Sequence, residues 1–479
     1  MPLLRSVYDS RLFPWGNDLQ TAPHWRGEIA ATLTLAWPLV LGQLASIAMN
    51  VVDTLLAGRH GPQTLAGVAV GSAVWSLVLL VLIGVLMAIP PSVSQLAGAG
   101  QRARIGPLFR QAVWLALSMG LVLMLLVRQA DWLLRALGIA DDVRPPAEAF
   151  LQAVSWGAPA LALHFCFRFL SEGVALTRPS LVSGVAGLLL LGPLGYWLMF
   201  GGAGLPGLGA AGLGWATAIV LWGQALGFGL FLARGRRYQD LGLFRRFEWP
   251  NPALLAELLR IGLPMGVSIF MEGSLFVATG LLIGTLGATA VAAHQIALNV
   301  ASVCFMVPLG IAMAMTVRVG HAAGAGNASG VRWAGRAGYA IVAVTQVSMA
   351  LTLALGAEAI AGAYTTDVAI AALAAQLLWL AAIFQCSDGL QAASAGALRG
   401  LKDTRVPMWI TMLSYWGIGM SLGAWLGLYR GHGPAGMWLG LIAGLSAAAL
   451  LLTLRFLRLA RSFQPHPGQG ADVVGAHQP

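Results

Sequence analysis

Twelve apolar stretches, each long enough to cross a bilayer, follow one another along this chain of 479 residues. A membrane-spanning helix needs about 20 predominantly apolar residues. Hydrophobic residues make up 58% of the chain and charged residues only 10%, and a soluble fold has too little interior for that balance. The chain is therefore predicted to be an all-α integral membrane protein. Its expected transmembrane helices cover residues 30–57, 64–97, 108–127, 148–167, 180–200, 210–233, 254–284, 289–317, 335–356, 369–397, 407–427 and 434–457.

Basic residues are distributed very unevenly between the connections of these spans. The connections on one side hold 23 Arg and Lys residues, and those on the other side hold five, which are Arg59, Arg128, Arg135, Arg144 and Arg430. The positive-inside rule places the basic side, with both termini, in the cytoplasm. We expect a multi-pass protein of a bacterial inner membrane. The net charge of +10 follows this membrane asymmetry, so no nucleic-acid partner is expected.

An internal repeat sets the predicted architecture. Residues 38–100 align with residues 264–326 at a constant offset of 226, and 18 of the 63 positions are identical. Each repeat unit holds six spans, so both halves enter the membrane from the same side. Parallel repeats of this kind indicate a secondary transporter with a pseudo-twofold axis along the membrane normal. The expected parts are a cytoplasmic N-terminal segment (1–29), an N-lobe (30–233), a cytoplasmic linker (234–253), a C-lobe (254–457) and a disordered cytoplasmic tail (458–479).

Three carboxylates lie in apolar runs of about 20 residues without Lys or Arg, namely Asp53, Glu272 and Asp388. A charged side chain at the bilayer centre costs about 2.5–3.5 kcal/mol on insertion scales, and such residues are functional by default. Alternatively, each carboxylate is a structural residue that forms hydrogen bonds in helix packing. This alternative is strongest for Asp53, which lies nearest the end of its span. A proton and a hard cation such as Na+ both suit these carboxylates. The sequence leaves this choice open and indicates no cofactor besides the coupling ion.

Polar neighbours extend these candidate sites. Ser274 follows Glu272, Ser387 precedes Asp388, and Asn50 precedes Asp53 within the same spans. Hydroxyl and amide oxygens are further candidates to bind a cation or a substrate.

Aromatic residues, prolines and one charged pair carry weaker signals. Three tryptophans within spans are candidates to line a cavity for flat organic cations, although interface belts and packing explain most membrane tryptophans. They are Trp75, Trp222 and Trp379. Prolines within spans are expected to kink their helices, and these are Pro38, Pro159, Pro264 and Pro308. Arg168 and Glu172 are spaced to form a structural ion pair on one helix.

Several segments resemble the multidrug and toxic compound extrusion (MATE) family, nearest its NorM-like branch. They are Val52-Asp53-Thr54 through Ala57-Gly58, Gln95 through Gly100, Ala292 through Asn299, Gly396 through Gly400 and Lys402-Asp403-Thr404. The resemblance covers residues 30–457. It implies a cation-driven antiporter of cationic lipophilic compounds, with sodium as the usual coupling ion. It also assigns cation coupling and drug export to Asp53, Glu272 and Asp388.

One segment departs from the family pattern. Relatives often carry two asparagines around the fifth-span proline, whereas this chain reads Leu191-Gly192-Pro193-Leu194-Gly195. An ion site at Asp53 would lack those amides, which favours Glu272 and Asp388 as the coupling site.

The resulting hypothesis is a monomeric multidrug antiporter that works by alternating access. A lipid-linked oligosaccharide flippase is the near alternative, but it would need a cationic cavity, and we expect an acidic one. A membrane-embedded polyprenyl-phosphate transferase would need polar catalytic loops, and the sequence shows no phosphate-binding glycine loop. A channel is also possible, but it would not explain the internal repeat as well as a transporter with two symmetric lobes does.

Overall fold

The computed structural model describes residues 25–136, 138–202 and 204–464, which are almost entirely helical. The first half contains α1 (Trp25–His60), α2 (Pro62–Leu86), α3 (Ile89–Gly98), α4 (Ile105–Arg128), α5 (Ala130–Ala136), α6 (Arg144–Ser155), α7 (Ala158–Gly173), α8 (Arg178–Phe200) and α9 (Ala210–Arg234). The second half contains α10 (Pro252–Gly284), α11 (Ala288–Gly324), α12 (Ala328–Tyr364), α13 (Val368–Gly400), α14 (Arg405–Met412), α15 (Ser421–Ala424) and α16 (Gly433–Ser462). A two-stranded ribbon pairs Gly201–Gly202 with Leu205–Pro206.

Helices occupy all twelve predicted spans, and the all-α membrane fold is confirmed. Ten helical segments of the described chain are individually long and apolar enough to cross a membrane, with α2 and α3 counted together. The pair α6 and α7, bent by 50°, makes an eleventh. The predicted span 407–427 is also helical: a π-helical segment at Leu413–Met420 joins α14 to α15, and a second one at Trp425–Tyr429 follows α15.

The first and the last helix are longer than the spans predicted for them. Helix α1 begins at Trp25, inside the segment 1–29, and α16 continues to Ser462, inside the predicted tail. The rest of those two predictions, residues 1–24 and 465–479, lies outside the described residues.

One of the four predicted proline kinks lies at a bend of the chain, and the other three remain predictions. Pro159 is the second residue of α7, next to the 50° bend. Pro38, Pro264 and Pro308 lie inside helices that continue through them. A lost backbone hydrogen bond alone does not break a helix whose neighbours hold it in place.

The two halves meet through contacts that repeat at the offset of 226. Gly84 of α2 lies against Gly266 of α10, and its repeat partner Gly310 of α11 lies against Val40 of α1. Because Val40 is the repeat partner of Gly266, the second contact is the first one rotated, as in a twofold-symmetric dimer.

A second pair of contacts is also related by the offset of 226 residues. Gly98 of α3 lies against the His321 backbone of α11, and Gly324 lies against the Gln95 backbone. A side chain at either glycine would overlap that backbone. We call this end of the bundle, which also carries the linker, the linker end.

Candidate functional site

A cavity of about 540 Å³ lies between the two halves. Helices α1, α2 and α7 form one wall, and α10, α11, α13, α14 and α16 form the other. Much of the lining is aromatic or methionine: Met87, Phe165, Phe169, Met265, Phe276, Phe305, Met306, Met313, Phe384 and Trp438. Flexible methionines and broad aromatic faces suit ligands of varied shape.

The two carboxylates favoured by the sequence come together in this cavity. Glu272 reaches it from α10 and Asp388 from α13. Glu272 is half-buried, and the adjacent Gly273 faces Leu80 of α2, so this part of α10 faces the first half. Asp388 is only 3% exposed, and its Oδ1 atom has no hydrogen-bond partner within the described chain. Two carboxylates that could bind a cation, more than one hundred residues apart in the sequence, thus line the same cavity.

Amide and hydroxyl oxygens surround Asp388. Gln391, one turn further along α13, lines the same cavity, and its Oε1 atom is buried without a hydrogen-bond partner. The buried hydroxyl of Tyr415 lies near Gln391. Gln385 fixes α13 in place, because its Nε2 donates to the carbonyl oxygen of Ala301 on α11 at 3.0 Å.

The cavity is not purely acidic, which corrects the expectation from sequence. Arg399 lines it from α13, eleven residues after Asp388. Eleven residues complete three helical turns, so both side chains lie on one face, roughly 16 Å apart along the axis. The Arg399 Nε atom has no hydrogen-bond partner in the described chain, and Nη1 lies 3.9 Å from the Met87 Sδ atom. Arg399 escaped the sequence argument because it lies just beyond the predicted span 369–397.

A second arginine in the wall is already neutralised. Arg168 of α7 donates from Nε to Glu172 Oε1 at 2.7 Å and from Nη2 to Gln43 Oε1 at 2.9 Å. The predicted Arg168–Glu172 pair is therefore confirmed, and Glu172 is buried. Among the described residues, neither Glu272 nor Asp388 forms an ion pair with an arginine.

Asp53 lies away from this cavity. It is half-buried in α1, its Oδ1 atom has no hydrogen-bond partner among the residues described, and the preceding Val52 lies near Gly192 of α8. Asn50 is exposed, and its carbonyl oxygen accepts a hydrogen bond from Thr54 Oγ1 at 2.9 Å. The structure does not bring either residue to the pair on α10 and α13.

The two serines are used in helix packing. Ser274 Oγ donates to the carbonyl oxygen of Met271 at 3.1 Å, within α10. Ser387 and Ser446 share a 2.7 Å hydrogen bond between α13 and α16. Neither serine lines the cavity.

The three predicted tryptophans also lie elsewhere. Trp75 is buried in the core of the first half, Trp222 donates from Nε1 to the Trp156 carbonyl oxygen at 3.0 Å, and Trp379 is 55% exposed. The tryptophan in the cavity wall is Trp438, whose Nε1 donates to His294 Nδ1 at 3.2 Å. Sequence periodicity did not identify Trp438, because α16 is apolar on several faces.

Comparisons with known proteins agree with this architecture. The MatE family model matches residues 38–197 and 264–425, and the two matches begin 226 residues apart. The chain is 53% identical to "Probable multidrug resistance protein NorM" of Xanthomonas campestris pv. campestris, over 92% of this chain and 96% of that one. It is 42% identical to "Multidrug resistance protein PmpM" of Pseudomonas aeruginosa, over 94% and 97%.

A solved structure shows the same fold. The eukaryotic MATE transporter AtDTX14 superimposes with a TM-score of 0.82 at 20% identity, over 91% of this chain and 98% of that one. The repeat, the helices and the two family matches lead to one conclusion: this chain belongs to the MatE family, and it is a multi-pass membrane transporter rather than an enzyme.

Proposed function

We propose that this protein is a monomeric antiporter that exports cationic lipophilic compounds in exchange for Na+ or H+. It would act in a bacterial inner membrane with both termini in the cytoplasm. One observation carries the proposal: Glu272 and Asp388 line a single apolar cavity, and neither forms a salt bridge with an arginine within the described chain. The names of the relatives at 53% and 42% identity support drug export.

Competition for these two carboxylates gives a simple basis for antiport. An organic cation and the coupling ion each neutralise the same negative charge, so they exclude one another. Each ligand then biases the equilibrium between two arrangements of the lobes according to its preference for one of them. Transport needs no further chemistry.

The oxygen atoms around Asp388 support a small coupling ion. Asp388 Oδ1 and Gln391 Oε1 are buried without hydrogen-bond partners among the described residues, and the buried Tyr415 hydroxyl lies near Gln391. Hard cations prefer such oxygen ligands. A proton on one carboxylate would meet the same need, and separate sodium and proton gradients distinguish the two.

The test is efflux from vesicles that contain the purified protein. We expect Glu272→Gln and Asp388→Asn to abolish ethidium movement driven by either gradient, because each removes half of the shared charge. Glu358→Gln, at an exposed carboxylate of α12 outside the cavity, is the matched control and should transport normally. Full gradient-driven efflux by both cavity variants would refute the proposal.

A further inference from the structure

The linker between the halves is fixed to α4 by side-chain hydrogen bonds. Arg110 Nη1 donates to the carbonyl oxygens of Gly242 and Leu243 at 2.8 and 3.2 Å. Gln111 Nε2 donates to the Trp249 carbonyl oxygen at 3.1 Å, and Trp114 Nε1 donates to that of Glu248 at 3.0 Å. Residues 242–249 therefore form a fixed strip along the first turns of α4.

This strip exposes large aromatic rings. Phe244, Phe247 and Trp249 are 54%, 71% and 77% exposed. The rings of Phe247 and Trp249 meet edge to face at 5.3 Å, and Phe247 also contacts Trp114. Trp114 lies nine residues into α4, roughly 13 Å from its start. The rings beside Trp114 therefore lie along the membrane-spanning helix α4 and not beyond its end.

Arginines accompany these rings. Five arginines around the linker are exposed, and none forms an ion pair within the described chain: Arg234, Arg236, Arg237, Arg245 and Arg246.

The two carboxylates of the linker are already engaged. Asp240 pairs with Arg102, and Glu248 pairs with Arg110 Nη2 at 2.6 Å. The hydrogen bond from Arg110 holds the pKa of Glu248 below its usual range. Glu248 therefore stays ionised and bound to α4. Arg246 is close enough to act on its charge, but none of the five exposed arginines forms a salt bridge with it or with any other described carboxylate.

We propose that residues 234–249 bind the headgroups of anionic phospholipids. The arginines contact lipid phosphates, and Phe244, Phe247 and Trp249 lie beside the upper acyl chains. Each basic residue near an anionic membrane surface adds to binding, and amphipathic aromatic rings favour the interface. A soluble polyanion or free phosphate would use the arginines but would leave the three exposed rings unaccounted for. This site is separate from the transport cavity, so the inference does not depend on the proposed antiport.

The experiment measures lipid retention by the intact protein in detergent, using native mass spectrometry. Wild type is titrated with phosphatidylglycerol and, separately, with phosphatidylcholine. We expect preferential retention of phosphatidylglycerol. Arg245→Ala with Arg246→Ala should weaken this retention roughly 30-fold, since each arginine contributes about a factor of five near an anionic surface. Arg458→Ala with Arg461→Ala, exposed arginines at the end of α16, is the matched control and should retain wild-type binding.

Additional variants and competitors in the same experiment identify the ligand and show whether a loss of binding is caused by misfolding. Arg245→Lys with Arg246→Lys keeps the charge and should retain most of the binding. Phe247→Ala with Trp249→Ala should weaken retention of the lipid but not of soluble glycerophosphate. Inorganic phosphate at equal concentration should fail to displace the lipid, and displacement would mark a phosphate site instead. Equal retention of both lipids by wild type, or an equal loss in the linker and α16 arginine variants, would overturn the proposal.

Discussion

At the scale of single residues, the charge balance of the cavity governs what it can bind. Among the described lining residues, two carboxylates and one arginine form no salt bridge, namely Glu272, Asp388 and Arg399. Arg168 pairs with Glu172, and the third lining carboxylate, Asp403, pairs with Arg455. Arg399 shares the cavity with Glu272 and Asp388 and lies closer to the linker end. Its fixed charge opposes any other cation that enters, in proportion to distance and local dielectric.

Removing that charge should therefore strengthen cation binding. For Arg399→Gln, we expect the affinity for an organic cation such as ethidium to rise roughly three- to tenfold, as for charges about 12 Å apart at an effective dielectric constant near 20. Fluorescence titration of the purified protein measures the change. Arg405→Gln, at an exposed arginine that opens α14 outside the cavity, should leave affinity unchanged. A weaker affinity in Arg399→Gln would show that Arg399 acts by positioning the site instead.

The residue scale also shows how far sequence reasoning reaches. Glu272 and Asp388 were found because an ionisable group inside an apolar run is conspicuous. Arg399 was missed because it occupies the last turn of α13, where basic residues usually face the interface. Trp438 could not be chosen over Trp379, because which face of a helix points inward depends on how the neighbouring helices rotate it. The roles of Glu272 and Asp388 in transport remain predictions.

At the scale of elements, the helix of residues 405–429 packs on α16 through matching glycines. Gly419, Gly423 and Gly427 recur every four residues on one helix, and Gly436, Gly440 and Gly444 do so on the other. The spacing places each set on one face, where it allows the two backbones to approach closely. Gly440 lies directly against the backbone of Gly423.

A methyl group in this contact should separate the two helices. We expect Gly440→Ala to lower stability by about 1–3 kcal/mol, the usual effect of overpacking. The decrease should appear as a lower thermal unfolding midpoint in detergent. Gly417→Ala is the matched control, because nothing lies within 4 Å of a Cβ atom there. If both substitutions behave alike, close packing at Gly440 is not what holds these helices together.

The positions of helices were predicted well where apolar composition alone determines them. Breaks and irregular turns within helices, which depend on packing, were predicted less well. Apolar runs located every spanning helix, and Pro159 marked the bend between α6 and α7. The break between α2 and α3 at Met87–Ala88 was not predicted, although Pro90 and Pro91 begin the next turn. The π-helical turns of residues 413–429 have no sequence signal, because they arise from contacts with α16.

At the scale of the whole molecule, the repeat predicted how the halves meet, but one contact departs from its symmetry. Glu28 of α1 and Arg318 of α11 form a buried bidentate ion pair, with Nη2 2.6 Å from both carboxylate oxygens. Their repeat partners are Leu254 and Ser92, which cannot form such a pair. Within the described residues, the linker end is therefore joined by this asymmetric ion pair and by a hydrogen bond from Gln95 Nε2 to the Gly400 carbonyl oxygen at 2.8 Å, in addition to its symmetric glycine contacts.

Under the proposed alternating access the linker end opens, and this pair would then break during transport. Removing one partner of a buried ion pair typically costs about 3–5 kcal/mol. We expect Glu28→Gln to shift the equilibrium towards an open linker end and to speed hydrogen exchange at residues 94–101 and 318–327. Asp131→Asn, which breaks an exposed pair within α5, is the control and should leave exchange there unchanged.

Exchanging the partners tests whether the pair itself, and not the packing around Glu28, holds the end closed. Glu28→Arg combined with Arg318→Glu restores opposite charges at the same two positions, so it should return exchange at both segments towards the wild-type rate. Each single charge reversal should open the end further than Glu28→Gln, because like charges then face each other in a site of low dielectric. If Glu28→Gln and the double charge-swap variant both show wild-type hydrogen exchange, the ion pair does not hold the lobes together at this end, and the remaining contacts there do.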